Sequence, residues 1–243
     1  MDHLIRKCRL GTTDFDRYCR LQPAAVLDIF QDAAAEHALQ LGMGFEAMTQ
    51  RGMAWVVLRV CYQQLAQPKL FDEVQITTWP HAPGALDFGR DYRIDAADGT
   101  PLILGSSTWV VIDLETRKLV PAKEVGFPAD SVRDEHIFPE RLRKLRDFPA
   151  LDEGIALRSR YTDVDLNGHV NNAKYANYVI DALRPGPDCT LEQFQLDYHH
   201  EVLPDTALTL YTNQEGSALL CKGCDSEGTL MFSGRMIVRE GTV

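Results

Sequence analysis

The densest polar stretch of this chain runs Arg160-Tyr-Thr-Asp-Val-Asp165-Leu-Asn167-Gly-His169-Val-Asn171-Asn172-Ala-Lys-Tyr175 and leads into an apolar run with helical spacing. Asp, Asn and Gly are residues of loops and helix starts, so backbone capping accounts for any one of them. A single histidine is likewise more often structural. As a group they ask for more. A carboxylate, an amide and an imidazole alternate at Asp165, Asn167 and His169, just before a helix start whose free N–H groups carry partial positive charge. That set suits attack on an acyl carbonyl. Helix N–H groups or the Asn167 amide would stabilise a developing oxyanion, and a carboxylate or imidazole would take a proton from water. A second carboxylate must come from elsewhere. Glu201, in Asp197-Tyr-His-His-Glu201-Val, is expected on the strand that follows, and a strand packed near a helix N-terminus can reach such a loop. By itself Glu201 reads as an exposed strand-end charge.

The elements that must position these groups are legible from periodicity. Pro23 to about Leu41 reads as a helix: Pro23 suits its first turn, Val26, Ile29, Phe30, Ala33, His37 and Leu41 share one face, and Gly42 and Gly44 end it. Strands are expected at Met53–Gln64, Glu73–Trp79, Leu86–Ile94 and Leu102–Asp113, with a short piece near Lys118–Val120. From about Pro121 to Gly154 the pattern dissolves into a Pro-, Arg- and Asp-rich connection, with a short helix expected at Pro139–Arg146. The order then repeats. A strand is expected at Ala156–Tyr161, a helix at Asn171–Leu183, and strands near Gln193–His200, Ala207–Thr212, Ala218–Cys224 and Thr229–Arg239. One helix and several antiparallel strands, twice over, is an α+β pattern.

The repetition reaches single residues. A shift of 149 positions aligns Asp14 with Asp163, Asp16 with Asp165, Asp32 with Asp181 and Ala33 with Ala182, without gaps. Asp98-Gly-Thr100 resembles Glu227-Gly-Thr229. The chain therefore reads as a duplicated unit: 1–120, a connection at 121–154, and 155–243. The copies differ where the chemistry would be. Tyr18 stands opposite Asn167 and Arg20 opposite His169, so the second copy is expected to be catalytic and the first, with a degenerate site, to specialise in binding.

The chain has 243 residues, 45% of them hydrophobic and 25% charged, with a formal net charge of −10. A core of ordinary size is expected. Nucleic acid and anionic membranes are not expected partners, and neither a secretory leader nor a membrane-spanning run is read from the sequence. Six scattered cysteines suit a reducing cytoplasm. Cys221-Lys-Gly-Cys224 has redox-motif spacing but lies in a strand–turn context. His199 and His200, adjacent on an expected strand, would point to opposite faces and could not share an ion. No metal and no cofactor is expected. There is no phosphate-binding glycine loop and no Gly-x-Ser-x-Gly elbow.

Asp165-Leu-Asn167-Gly-His169-Val-Asn171-Asn172-Ala-Lys174-Tyr175 closely resembles the signature of acyl-acyl-carrier-protein (acyl-ACP) thioesterases of plants and bacteria. The resemblance implies a tandem hotdog fold, each copy a long helix wrapped by an antiparallel sheet, and hydrolysis of fatty-acyl thioesters on acyl carrier protein. It implies catalytic roles for Asp165, Asn167, His169 and Glu201. Plant members carry a cysteine directly after that glutamate; this chain has Val202, so no thiolate can act there. The resemblance also implies that the first copy shapes chain-length preference. Met43, Met48, Met53 and Trp55 are candidate acyl-chain contacts, against an ordinary-core alternative. Arg141, Arg143, Lys144 and Arg146 are candidates for docking the acidic carrier, against a solvated linker. Acyl-CoA hydrolysis, a hydratase or dehydratase of acyl thioesters, and a binding module with a decayed site are the competing readings. Two fused copies already supply the pairing that single-unit hotdogs gain by dimerising, so monomer and homodimer both fit.

Overall fold

The computed structural model describes residues 2–150 and 153–240. It divides into two compact units, residues 1–142 and 143–243.

In the first unit, β1 (Leu4–Arg9), α1 (Pro23–Gln40), α2 (Phe45–Gln50), β2 (Met53–Gln64), β3 (Glu73–Pro80), β4 (Asp87–Ala96) and β5 (Pro101–Asp113) follow in order. The strands pair antiparallel in the order β1-β3-β4-β5-β2. Helix α1 begins at Pro23 and buries Val26, Leu27, Phe30, Ala33, Ala34 and His37, the spacing of a single apolar face. It meets the sheet at Gly105: a methyl group there would come within 2.3 Å of the Phe30 ring. Phe30 also stacks on Tyr92, centroids 4.2 Å apart. A large side chain on the helix and a glycine on the strand thus interlock.

Two short elements lack a sequence signal. β1 is an edge strand in which Leu4 is buried and Ile5, Lys7 and Arg9 are exposed, so charge masks its alternation. α2 is a helix of 6 residues, too short for a period. The piece near Lys118–Val120 is only an isolated bridge, Ile112 to Leu119. Further on come α3 (Ala122–Val125) and a 3-10 turn, Ala129–Ser131. The chain then returns across β3 and β4, where Trp79 Nε1 donates to Glu135 O at 2.8 Å and Arg133 N to Pro80 O at 3.0 Å.

The second unit repeats the plan with β6 (Ile155–Arg158), α4 (Lys174–Leu183), β7 (Cys189–Tyr198), β8 (Ala207–Glu215), β9 (Ala218–Asp225) and β10 (Leu230–Glu240). Its strand order, β6-β8-β9-β10-β7, is the first unit's order with each strand replaced by its counterpart. The interlock recurs as well. A methyl at Gly234 on β10 would stand 2.6 Å from Val179 on α4. Val179 aligns with Phe30, and Gly234 follows Gly228 by the same interval as Gly105 follows Gly99.

No helix forms at Pro139–Arg146, although the residues favour one; the backbone there is irregular. Its polar groups go to strand side chains instead. In the first unit Arg59 Nη1 donates to Leu142 O at 2.8 Å. In the second, Gln195 Nε2 donates to Arg143 O at 2.8 Å and Leu145 N to Asp197 Oδ2 at 2.6 Å. Tertiary partners for these groups outweigh a propensity of a few tenths of a kcal/mol per residue, about the spread among good helix formers.

Candidate active site

The loop ahead of α4 is built on two aspartates. Asp163 Oδ2 accepts Arg160 N–H at 2.8 Å and the Tyr178 hydroxyl at 2.7 Å, and its carbonyl accepts Asn171 N–H at 2.8 Å. Burial, and then the bond to Asp163, push the Tyr178 phenol well above its ordinary range, so it stays a donor. Asp165 folds the tip. Its Oδ1 accepts Asn167 N–H at 2.8 Å, its carbonyl accepts Gly168 N–H at 3.0 Å, and its own N–H donates to His169 O at 2.9 Å. Gly168 takes the left-handed conformation that this turn requires, φ +81°. Val164 and Val170 close the loop as an antiparallel bridge.

Helix α4 begins at Lys174 rather than at Asn171. Asn171 is used as a turn residue, its Oδ1 accepting Ala173 N–H at 2.9 Å. His169 therefore precedes the helix by five positions, and Asn167 is exposed at the loop tip.

Glu201 does not lie on a strand. β7 stops at Tyr198 because the N–H groups of His199 and His200 both converge on Met231 O, at 2.9 and 3.1 Å, which ends the ladder. The connection that follows is tied to the loop by backbone. Val170 N donates to Val202 O at 2.8 Å, and Val202 N to the Tyr175 hydroxyl at 3.1 Å. Tyr198 Oη adds a bond to Asn172 O at 3.0 Å. The residue after His169 is thus joined to the residue after Glu201. The two side chains meet as a result: His169 Nε2 lies 3.1 Å from Glu201 Oε2, with the side chains 29% and 37% exposed. The Tyr175 phenol is pushed up to about 12, chiefly by burial and further by the charges of Glu201 and Asp165, against the Val202 bond.

The structure thus brings Asp165 to the Asn167 backbone and His169 to Glu201. Asn167 Nδ2 is 3.5 Å from Asp165 Oδ2, the edge of a hydrogen bond. The Val202 side chain, where a plant-type cysteine would stand, is fully buried.

The first unit has the same loop with different chemistry. Asp16 Oδ1 accepts Tyr18 N–H at 2.8 Å, Cys19 N donates to Asp16 O at 2.9 Å, Phe15 and Leu21 form the bridge, and Gln22 N donates to Asp14 O at 2.8 Å. Cys19 takes the left-handed place of Gly168, φ +58°. Arg20, at the position of His169, folds back onto Asp16 with Nε 2.8 Å from Oδ2. The counterpart of Glu201 follows from the strand ends. Leu10 N donates to Asp72 O as Ser159 N does to Thr206 O, both at 3.0 Å, and Phe71 and Asp205 both have positive φ. Counting back four positions from each puts Gln67 where the second unit has Glu201. An amide there offers no base.

The other candidates fall elsewhere. Met43 and Met48 are buried and Met53 and Trp55 partly buried in one apolar cluster of the first unit, with Phe88, Val111 and Val125. Trp55 Nε1 donates to Met43 O at 2.9 Å. Arg141, Arg143, Lys144 and Arg146 are all exposed, Arg141 lying 3.3 Å from Asp87. Cys221 and Cys224 are free thiols buried on β9, and burial pushes Cys221 up to about 12, too high for redox work at neutral pH.

Comparison with known proteins agrees with this architecture. An acyl-ACP thioesterase from Bacteroides thetaiotaomicron superposes with a TM-score of 0.90 at 19% identity, covering 98% of both chains. The 12:0-ACP thioesterase from Umbellularia californica superposes at 0.85 and 25% identity, covering 99% of this chain and 98% of that one. The fold is the tandem hotdog. The family models for the acyl-ACP thioesterase N-terminal and C-terminal domains match residues 6–125 and 151–234, and the chain belongs to the acyl-ACP thioesterase family. Among plant relatives, oleoyl-acyl carrier protein thioesterase 2 of Arabidopsis thaliana is 27% identical over 86% of this chain. Dodecanoyl-[acyl-carrier-protein] hydrolase of Umbellularia californica is 31% identical over 80%. The alignments span 63% and 55% of the lengths of these two chloroplastic proteins. Among the described residues, no helix is long and apolar enough to cross a membrane.

Proposed function

We propose that this protein hydrolyses fatty-acyl thioesters on acyl carrier protein and releases the free fatty acid. The contact between His169 and Glu201 carries the reading, because it couples a carboxylate to an imidazole two positions along the chain from the exposed Asn167 amide. Family membership supplies the substrate class.

In this mechanism Glu201, oriented by His169, takes a proton from water as the oxygen adds to the thioester carbonyl carbon. The Asn167 amide donates to the oxyanion that forms. Collapse expels the carrier's thiolate, which is protonated from the Glu201–His169 pair. Asp165 contacts neither reactant; it holds the turn that presents Asn167 and His169. The first unit, with Tyr18, Arg20 and Gln67 at the corresponding places, contributes acyl-chain binding through the Met43–Trp55 cluster. The basic residues Arg141, Arg143, Lys144 and Arg146 meet the acidic carrier. Six free cysteines suit a reducing compartment such as the cytoplasm.

A thiol-release assay across acyl-carrier and acyl-CoA substrates tests this directly. Glu201→Gln and His169→Ala should each lower kcat by about 10²–10⁴-fold with the fold retained, the range for losing a general base. Wild-type rates in both variants would remove the assignment, and faster turnover of acyl-CoA would move the carrier. Single turnover in 18O-water separates direct water attack from an acyl-anhydride intermediate, which would leave label in Glu201.

A further inference from the structure

Three side chains of the first unit, distant in sequence, converge on one another. His81 follows β3, Asp91 lies on β4, and His136 belongs to the segment that returns across both strands. A nitrogen from each imidazole and a carboxylate oxygen of Asp91 all lie within 4.8 Å of one another. Asp91 is 1% exposed, paired across the strands with Trp79 and Ser106. Its Oδ2 accepts Ile137 N–H at 2.6 Å. Its Oδ1 is buried and meets no hydrogen-bond donor among the described residues. His81 Nε2, also buried, stands 3.0 Å from Asp91 Oδ2 but out of line for a hydrogen bond, so it too lacks a partner. The two imidazole centroids are 4.1 Å apart. His81 is held against the strand: its N–H donates to Gly89 O at 2.9 Å, and a methyl at Gly89 would stand 2.7 Å from its Nδ1.

A buried carboxylate oxygen and a buried imidazole nitrogen without partners are expensive. A cation between them would remove both deficits. Two ligands of one tetrahedral ion, each about 2.0–2.1 Å from it, lie roughly 3.3 Å apart, and the three donor atoms here, all within 4.8 Å of one another, need only a small closure to reach that. Two imidazoles with one carboxylate suit zinc and its neighbours rather than magnesium or calcium, which take oxygen ligands. The Ile137 N–H on Oδ2 leaves Oδ1 for the metal and orients the carboxylate, as ligating carboxylates require. The geometry points to a divalent transition-metal site of zinc type at His81, Asp91 and His136, with a fourth position for water on the exposed His136 side. Its effect is structural: the ion pins the segment around 133–137 to β3 and β4, reinforcing the Trp79–Glu135 bond.

The test uses the full chain, freed of metal with chelator, then titrated with Zn2+ by calorimetry and with Co2+ as a spectroscopic probe. One equivalent of Zn2+ should bind and raise the Tm. Co2+ should give visible ligand-field bands without near-ultraviolet thiolate charge transfer. His136→Gln, at an exposed position, should bind Zn2+ at least about tenfold more weakly and lose the metal-dependent rise in Tm; Asp91→Asn should do the same where it folds. Absence of stoichiometric binding, binding unchanged in His136→Gln, or a Co2+ spectrum dominated by thiolate bands from the cysteines would each overturn the site.

Discussion

Val202 shows how one backbone position can decide which side chains meet. Its carbonyl takes Val170 N–H and its N–H donates to the Tyr175 hydroxyl, which leaves the neighbouring Glu201 facing His169. Removing the phenol in Tyr175→Phe strands a buried N–H, at a cost of about 1–3 kcal/mol. A lower Tm is expected, together with a fall in kcat of about tenfold, the effect of some 1.4 kcal/mol of misplacement at the reacting carboxylate. An unchanged kcat at reduced Tm would show that the tie stabilises the fold without positioning Glu201. The proposed base, amide and imidazole were nominated by residue type and spacing in the sequence. The wiring among them was not, because it runs through main-chain bonds to which Val170 and Val202 contribute no distinctive side chain.

Each helix rests on its sheet through a glycine that repeats between the copies, Gly105 under Phe30 and Gly234 under Val179. Gly105→Ala would force a methyl into the Phe30 ring, an overpacking of about 1–3 kcal/mol. For a chain of this size a Tm lower by about 2–4 °C per kcal/mol is expected, and a thermal melt measures it; an unshifted Tm would mean that α1 moves aside freely. Long elements were readable because period and length reinforce each other, as at Met53–Gln64, whose bounds the structure reproduces. Elements decided by partners were not. The stretch Pro139–Arg146 has helix-forming residues and forms no helix, since Arg59, Gln195 and Asp197 claim its backbone. The boundary errors at Asn171 and Glu201 have a similar origin: an Asx turn and a doubly used carbonyl end the regular structure early.

At the scale of the whole molecule, the two copies share one plan and differ in the side chains of one loop. Both units keep the same loop hydrogen bonds, but Arg20 is spent on Asp16 and Gln67 replaces the glutamate, so the loop of the first unit has no counterpart of the His169–Glu201 contact among the described residues. If the first unit grips the acyl chain, trimming its apolar cluster should change chain length. Trp55→Ala is expected to shift the released fatty acids toward longer chains, and an unaltered product profile would reject a tunnel wall at this position. The proposed docking of a carrier also belongs to this scale. With a net charge of −10, a local basic stretch is needed to draw in an acidic partner. Reversing Arg143, Lys144 and Arg146 to Glu should raise KM for acyl-ACP several-fold at low salt while leaving kcat and the KM for acyl-CoA in place. Equal KM values before and after would mark these residues as solvated only.

Read alone, the sequence determined the duplicated α+β order, the helix face that buries Val26, Phe30 and Ala33, and the chemical inventory at Asp165, Asn167, His169 and Glu201. All of these are written in local spacing or in residue type. Tertiary structure decided how they meet: the His169 ring with the Glu201 carboxylate, the Asp165 carboxylate with the Asn167 backbone, and Gln67 as the counterpart of Glu201. It also gathered His81, Asp91 and His136, whose separations of ten and forty-five positions match no ligand motif. Contacts of that kind depend on strand register and on where a returning segment crosses a sheet. Those are settled by packing across the fold, and no window of neighbouring residues contains them.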